Sequence, residues 1–463
     1  MMVSMTYESP IAEYYAKIES GEIVASEKIR AVYKHVLQNI DDPDCPYTYD
    51  ATKADRVIRF IERYCRQSKG KQGGKAIKLL LWQKAMISVM YGMVSKETGL
   101  RQYREALLIV GRKNGKSCLA SALGLYHLTK DGESGPEVYS CATKRDQSKI
   151  IWDESKKMIH KSPALSKRTK TLVSEIKCEG NDGIFRPLSS DTNRLDGLNI
   201  SCALCDEIHA WKDAGLYDIL RDGMSAREQP LLIQTTTAGF VRESIYDRKY
   251  NEAKKIIRGY EIGDYSDEKT LPLIYELDDK DEIWDENAWI KANPSIDVVK
   301  SRVDLRDKVY KARADNSLLP NLLTKDFDVV QNSQDCYFSD QDIINEQCFS
   351  LDELNGQLGY CIGGIDLSDT IDLTCATALF KLPDDPTLYV HQMYWIPEQL
   401  FQEHCKSDNV PYSTWRDQGW LQTCPGNRID YHMISQWFLY LQERYDLYLW
   451  KCGYDRWQAS YLT

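Results

Sequence analysis

The sequence predicts an α/β chain: a phosphate-loop domain on a largely parallel sheet covered by helices, then a second α/β unit, with a helical region in front. Three observations predict it. Short apolar runs alternate with helical stretches from Ile77 onward. A glycine loop ending in Lys-Ser joins one of these runs to a helix. A fresh set of apolar runs begins at Gly359.

Residues 1–75 form the helical region. Ile11, Tyr14, Tyr15 and Ile18 recur at helical spacing, as do Ile29, Val32, Tyr33, Val36 and Leu37. The segment Asp41–Pro46 breaks the pattern, and a third helix is expected over Lys53–Cys65. The main domain is expected over 76–262, with strands at Ala106–Val110, Glu137–Ala142, Ile200–Cys205 and Leu231–Thr235. Residues 263–350 are acidic and read as a mostly helical lid and linker, punctuated by Pro272, Pro294 and Pro320. The last unit, 351–463, opens with strands Tyr360–Asp366, Asp372–Phe380 and Leu388–Trp395, a three-strand meander. A helix over Met433–Tyr445 then leads to a strand over Leu447–Tyr454.

Composition narrows the class. A chain of 463 residues suits two to four units, and 43% hydrophobic residues can fill large cores. No apolar run is long enough to span a bilayer, and Met1–Pro10 has no secretory pattern. The 14 cysteines are scattered, which fits reduced thiols. Cys202 and Cys205 make a lone C-x-x-C without a second pair, so a buried strand is expected there rather than zinc. A net charge of −10 argues against wrapping by nucleic acid, but allows contact through a small patch. The basic stretch from Lys144 to Lys170 is such a patch, or a solvated helix face balanced by Asp153 and Glu154.

Chemistry concentrates at Gly111-Arg112-Lys113-Asn114-Gly115-Lys116-Ser117. A strand, a glycine loop and a helix start suit a nucleotide phosphate chain, because backbone N–H groups and the helix N-terminus cradle the anion. Lys116 is expected to neutralise the β- and γ-phosphates and Ser117 to ligate Mg²⁺. The usual loop has glycine where Val110 stands, so the motif is one residue short. About 90 residues on, the apolar run Ala203-Leu-Cys ends in Asp206 and Glu207. Asp206 is expected to hold Mg²⁺ through water, and Glu207 to activate the attacking water. Thr235, Thr236 and Thr237 end another core strand and are placed to sense the γ-phosphate.

Taken together, Arg112–Ser117, Leu204–Trp211 and Thr235–Gly239 resemble the ATPase motifs of tailed-phage terminase large subunits. That family commonly carries an Arg in a shortened loop. The resemblance makes Gln83, in Leu81-Trp-Gln, the reader of the adenine edge, and leaves Trp82 to core packing. It makes Arg112 a cis arginine and Arg194, in the segment Ser189–Asn199, a trans-acting one. Gly364–Thr374 and Gly453–Ala459 resemble the two acidic stretches of the family's ribonuclease H-like nuclease.

Such a nuclease implies Mg²⁺ or Mn²⁺ held by Asp366 and Asp455, with Asp372 or Asp369 as weaker ligands. The family's third aspartate lies farther downstream than Thr463, so the nuclease unit is expected to be incomplete and cleavage weak. The implied partners are ATP, double-stranded DNA, a small terminase subunit, a portal and procapsid, and further copies in a ring. The implied place is the host bacterial cytoplasm. A prophage remnant that binds nucleotide without packaging, or another P-loop DNA translocase, are the alternatives.

Overall fold

The computed structural model describes residues 9–69, 72–190, 197–211, 213–240, 244–263, 265–331, 347–368, 373–407 and 412–454. Arg194, Asp369, Asp372 and Asp455 therefore lie outside the described residues. The chain forms two compact units, Met1–Tyr337 and Phe338–Thr463.

The first unit begins with three helices, α1 (Pro10–Glu19), α2 (Glu27–Asp41) and α3 (Ala51–Tyr64). Ser9, Ser26 and Asp50 cap them, each accepting a backbone N–H of the first turn. The apolar positions at helical spacing turn inward: Ile11, Tyr14, Ile18, Ile29, Val32, Tyr33 and Val36 are all buried. They join the same core as the sheet, so this region is part of the first unit rather than a separate body. Helix α4 (Leu81–Gly92) follows, flanked by a two-strand ladder of β1 (Tyr47–Tyr49) and β2 (Met93–Ser95).

The main sheet contains β3 (Glu105–Ile109), β4 (Glu137–Ala142), β5 (Lys170–Thr171), β6 (Ile176–Cys178), β7 (Gly183–Ser189), β8 (Cys202–Asp206), β9 (Leu231–Thr236) and β10 (Thr270–Ile274). Their spatial order is β10-β3-β9-β8-β4-β7-β6-β5. The six strands from β10 to β7 are parallel, and β6 and β5 extend the edge antiparallel. Helices α5 (Lys116–Thr129) and α6 (Arg145–His160) pack on the sheet. Strands β3, β8 and β9 are buried along their whole length, as expected of parallel strands covered on both faces. Cys202 and Cys205 sit in β8 and are fully buried, which matches the strand reading.

One expectation is corrected. Thr270–Ile274 lies in the segment read as lid and linker, yet it is strand β10, pairing with β3 from Thr270↔Glu105 to Ile274↔Ile109. Pro272 is tolerated because β10 is the outermost strand, where a missing N–H costs no ladder bond. Beyond it the segment is helical as expected, with helices Arg302–Ala314 and Leu319–Asp326 around their own buried cluster.

The second unit holds β11 (Tyr360–Asp366), β12 (Thr374–Phe380), β13 (Tyr389–Pro397), β14 (Leu421–Cys424) and β15 (Tyr448–Tyr454), in the order β14-β13-β12-β11-β15. The first three make the expected antiparallel meander. β15 returns parallel beside β11, and the helix Tyr431–Tyr445 crosses between them in sequence. Alternating inward residues of β12, among them Ala376, Ala378 and Phe380, pack with Trp437, Phe438 and Leu441 of that helix.

Candidate functional site

The phosphate loop leaves β3 at Val110 and enters α5 at Lys116. Two residues take left-handed backbone: Lys113 at φ 67° and Gly115 at φ 89°. Gly115 caps α5 without adding a side chain over the helix N-terminus, so the first N–H groups stay open to an anion. Lys116 is buried, and its Nζ donates to the Val110 carbonyl at 2.7 Å. Arg112 and Lys113 are exposed and Ser117 is half-buried at the start of the helix.

The loop is held from a distant part of the chain. Gly111 N–H donates to Ala292 O at 3.1 Å, and Arg112 N–H to Lys325 O at 2.9 Å. Asn114 is fully buried. Its Nδ2 donates to Gly111 O and Asn293 Oδ1, and its Oδ1 accepts the Ser295 N–H at 3.0 Å. A Cβ on Gly111 would lie 2.6 Å from both Asn293 Oδ1 and Asp326 O, so only glycine admits this approach. Ser295 Oγ in turn accepts the Trp82 indole N–H, which fixes Trp82 in the core as expected.

Strand order sets the rest of the site. β9 runs between β3 and β8, so the tips of all three meet at one end of the sheet. Asp206 is buried at the end of β8 and accepts from Thr235 Oγ1 at 3.0 Å. Glu207 follows in left-handed backbone at φ 51°, held by its N–H on Thr235 O. Burial, and then the neighbouring Glu207 charge, push Asp206 up to about 6. Burial raises Glu207 too, but His209 and Lys116 outweigh it and hold the carboxyl down at about 2. Thr236 and Thr237 are fully buried at the β9 tip. Beyond them, Ala238 N–H donates to Asp328 Oδ1 at 2.8 Å, and burial drives the Asp328 carboxyl well above the usual carboxylate range.

A cleft of about 530 Å³ opens beside the loop, lined by Ile77, Leu79, Leu80, Gln83, Gly115, Leu119, Val298 and Val299 among others. Its walls are mainly apolar, and its size suits a nucleoside base. Gln83 stands here with its Oε1 taken by the Leu80 N–H at 2.9 Å, which leaves Nε2 toward Gly115. The structure thus gathers Gln83, Gly111–Ser117, Asp206, Glu207 and Thr235–Thr237 at one end of the sheet. Residues 292–295, 298–299, 325–328 and His209 were not singled out from sequence as site residues. The first three groups act largely through backbone or distant contacts, for which no local pattern exists.

In the second unit Asp366 is exposed at the end of β11, paired in register with Cys375 of β12. Ile365 pairs with Tyr454, so β11 and β15 end side by side. Ser368 N–H donates to Thr374 Oγ1 and Tyr431 OH to Ser368 O, both at 3.0 Å, bracing the chain just after Asp366. Among the described residues no group of three His, Cys, Asp or Glu side chains forms a ready metal site. No helix among the described residues is long and apolar enough to cross a membrane. The basic stretch is partly neutralised: Lys156 pairs with Asp153 at 2.7 Å.

Comparison with known proteins finds two matching domain families along the chain. A model of the terminase large subunit ATPase domain matches residues 81–255, and one of the terminase large subunit endonuclease domain matches 265–463. The large terminase subunit of Enterobacteria phage HK97 is 26% identical over 415 residues, 88% of this chain and 78% of its own. That of Lactococcus phage p2 is 22% identical over 426 residues, 90% of this chain and 75% of its own. The crystal structure of the HK97 bacteriophage large terminase shares the fold at a TM-score of 0.51, with 23% identity, covering 88% of this chain and 81% of that one. The chain therefore belongs to the terminase large subunit family: an ATPase and endonuclease that uses nucleotide and divalent metal to package DNA through a portal into a procapsid.

Proposed function

We propose that a single nucleotide site at the carboxyl ends of β3, β9 and β8 drives packaging, with Gln83, Gly111–Ser117, Asp206, Glu207 and Thr235–Thr237 as its working residues. The observation that carries this is the meeting of three strand tips: Asp206 and Thr235 in contact at 3.0 Å, with the phosphate loop on the far side of β9. The adenine enters the apolar cleft and is read by Gln83. Lys116 leaves its loop carbonyls to neutralise the β- and γ-phosphates. The buried Asp206 carboxyl and the Ser117 hydroxyl are a hard-oxygen donor set that fits Mg²⁺. A Mg²⁺ held by these two residues would supply charge neutralisation to the phosphates. Glu207, ionised in this setting, orients the attacking water. Arg112 acts in cis on the phosphates. Thr235–Thr237 sense the γ-phosphate and pass its state along β9.

The nuclease site is assigned to Asp366 and Asp455, with Asp372 in support. The side-by-side ends of β11 and β15 favour carboxylates that share divalent metal, Mg²⁺ or Mn²⁺. An Asp366→Asn protein should lose metal-dependent DNA nicking by at least about 10²-fold, since metal charge stabilisation is worth several kcal/mol. Its ATPase rate should match wild type. Unchanged nicking would remove Asp366 from the site.

Arg194 is proposed to act across a ring of subunits on a neighbour's phosphates, worth roughly 10³–10⁵-fold in turnover. The working assembly would then be a homo-oligomer on the portal, fed by a small terminase subunit, in the host bacterial cytoplasm. Mixing Arg194→Ala with Glu207→Gln subunits should restore part of the ATPase rate, because some interfaces then pair an intact Arg with an intact Glu. No rescue at any ratio, with both variants folded and binding ATP, would refute a trans role for Arg194.

A further inference from the structure

His209 lies three residues past Asp206, at the centre of a short 3-10 turn over Ile208–Ala210. Its Nδ1 is 2.9 Å from Thr236 Oγ1 and 3.0 Å from Glu207 Oε2. Its backbone N–H also points at Thr236 Oγ1, at 3.3 Å. Thr236 has one hydroxyl hydrogen, and it goes to Thr237 O at 2.8 Å. Toward His209 the hydroxyl can therefore only accept, which places the imidazole proton on Nδ1. That proton lies within hydrogen-bond reach of the hydroxyl. The Glu207 Oε2 is equally near, and it is buried without another hydrogen-bond donor.

Local backbone supports a fixed placement. Glu207 keeps a left-handed conformation that a residue with a side chain adopts only when its surroundings enforce it. Ala210 N–H returns to Glu207 O at 2.9 Å, closing the turn. A Cβ on Gly239 would stand 3.0 Å from His209 Cβ, so the β9 extension passes close against the stem of this residue. Burial lowers the His209 pKa, consistent with a neutral ring that donates through one nitrogen.

We propose that His209 is a positioning residue that shares one N–H between Glu207 and Thr236, so that the water-orienting carboxylate follows the tip of β9. The inference rests on the reading of Glu207 given above. A shift of the β9 tip on sensing phosphate would turn the N–H from the hydroxyl to the carboxylate, setting the direction of the Glu207 lone pair without touching nucleotide.

The test is steady-state ATP hydrolysis by the full chain, with His209→Ala and His209→Asn compared to wild type. Asn places an amide N–H near the Nδ1 position. His209→Ala should lower kcat by roughly 10–100-fold, the cost of a misplaced catalytic group. KM for ATP should stay within about two-fold, since bound nucleotide does not touch the imidazole. His209→Asn should recover at least about half of the lost factor on a logarithmic scale. In a Glu207→Gln background, His209→Ala should cause no further loss. Equal losses in the Ala and Asn variants, a KM rise matching the fall in kcat, or a wild-type rate in His209→Ala would each overturn the proposal. Failure of the Glu207 reading shows separately, as an active Glu207→Gln protein.

Discussion

Replacing Lys116 by Ala should lower kcat/KM for ATP by about 10²–10³-fold, the usual cost of losing one preorganised charge at a reacting oxyanion. The argument starts from the loop. Lys116 is buried and satisfies the Val110 carbonyl, at 2.7 Å. Its charge is thus kept inside the protein beside the helix N-terminus, where the phosphates must arrive. Arg112 and Lys113 are exposed and cannot replace it at that depth. The substitution also leaves a buried carbonyl without its donor, at a stability cost of about 1–3 kcal/mol. Thermal unfolding of the variant should therefore be followed beside the ATPase rate. A folded Lys116→Ala protein that hydrolyses ATP like wild type would exclude the loop as the phosphate site.

The elements that were legible in the sequence share one property: their signal is local. Continuous apolar runs marked β3, β4, β8 and β9 to within two residues, because parallel strands covered on both faces need no polar positions. Helical spacing marked α1 and α2, whose buried residues are all among those picked from sequence, with Tyr15 and Leu37 of the same set half-buried. Glycine spacing and strand-end carboxylates marked the phosphate loop, Asp206 and Glu207. Strand β10 was missed because five residues containing Pro272 resemble a loop, and only its place at the sheet edge makes the proline harmless. The support of the loop by Ala292, Asn293, Ser295 and Lys325 was illegible for another reason. It runs through backbone groups and the Asn114 side chain, about 180 or more residues from their partners, and neither backbone groups nor such distant pairs leave a local signature. His209 was passed over because its meaning depends on β9 lying next to β8, which spacing along the chain does not state.

Glu207→Gln should separate binding from chemistry. Gln keeps the size and one acceptor oxygen but cannot carry the charge that orients and deprotonates water, so turnover should fall by roughly 10²–10⁴-fold. Nucleotide affinity should hold or rise, because Lys116, Ser117, Asp206 and the apolar cleft at Gln83 are untouched and a buried negative charge near the γ-phosphate is gone. The pattern distinguishes Glu207 from Lys116, whose loss weakens both steps. It also distinguishes Glu207 from a residue that merely supports the fold, whose loss would lower binding along with turnover. The most direct measurement is ATP binding and ATP hydrolysis on the same Glu207→Gln preparation, in Mg²⁺ with double-stranded DNA. Tight binding with turnover at the background rate is the predicted result. Turnover near wild type, or binding lost along with turnover, would contradict a water-activating carboxylate at the tip of β8.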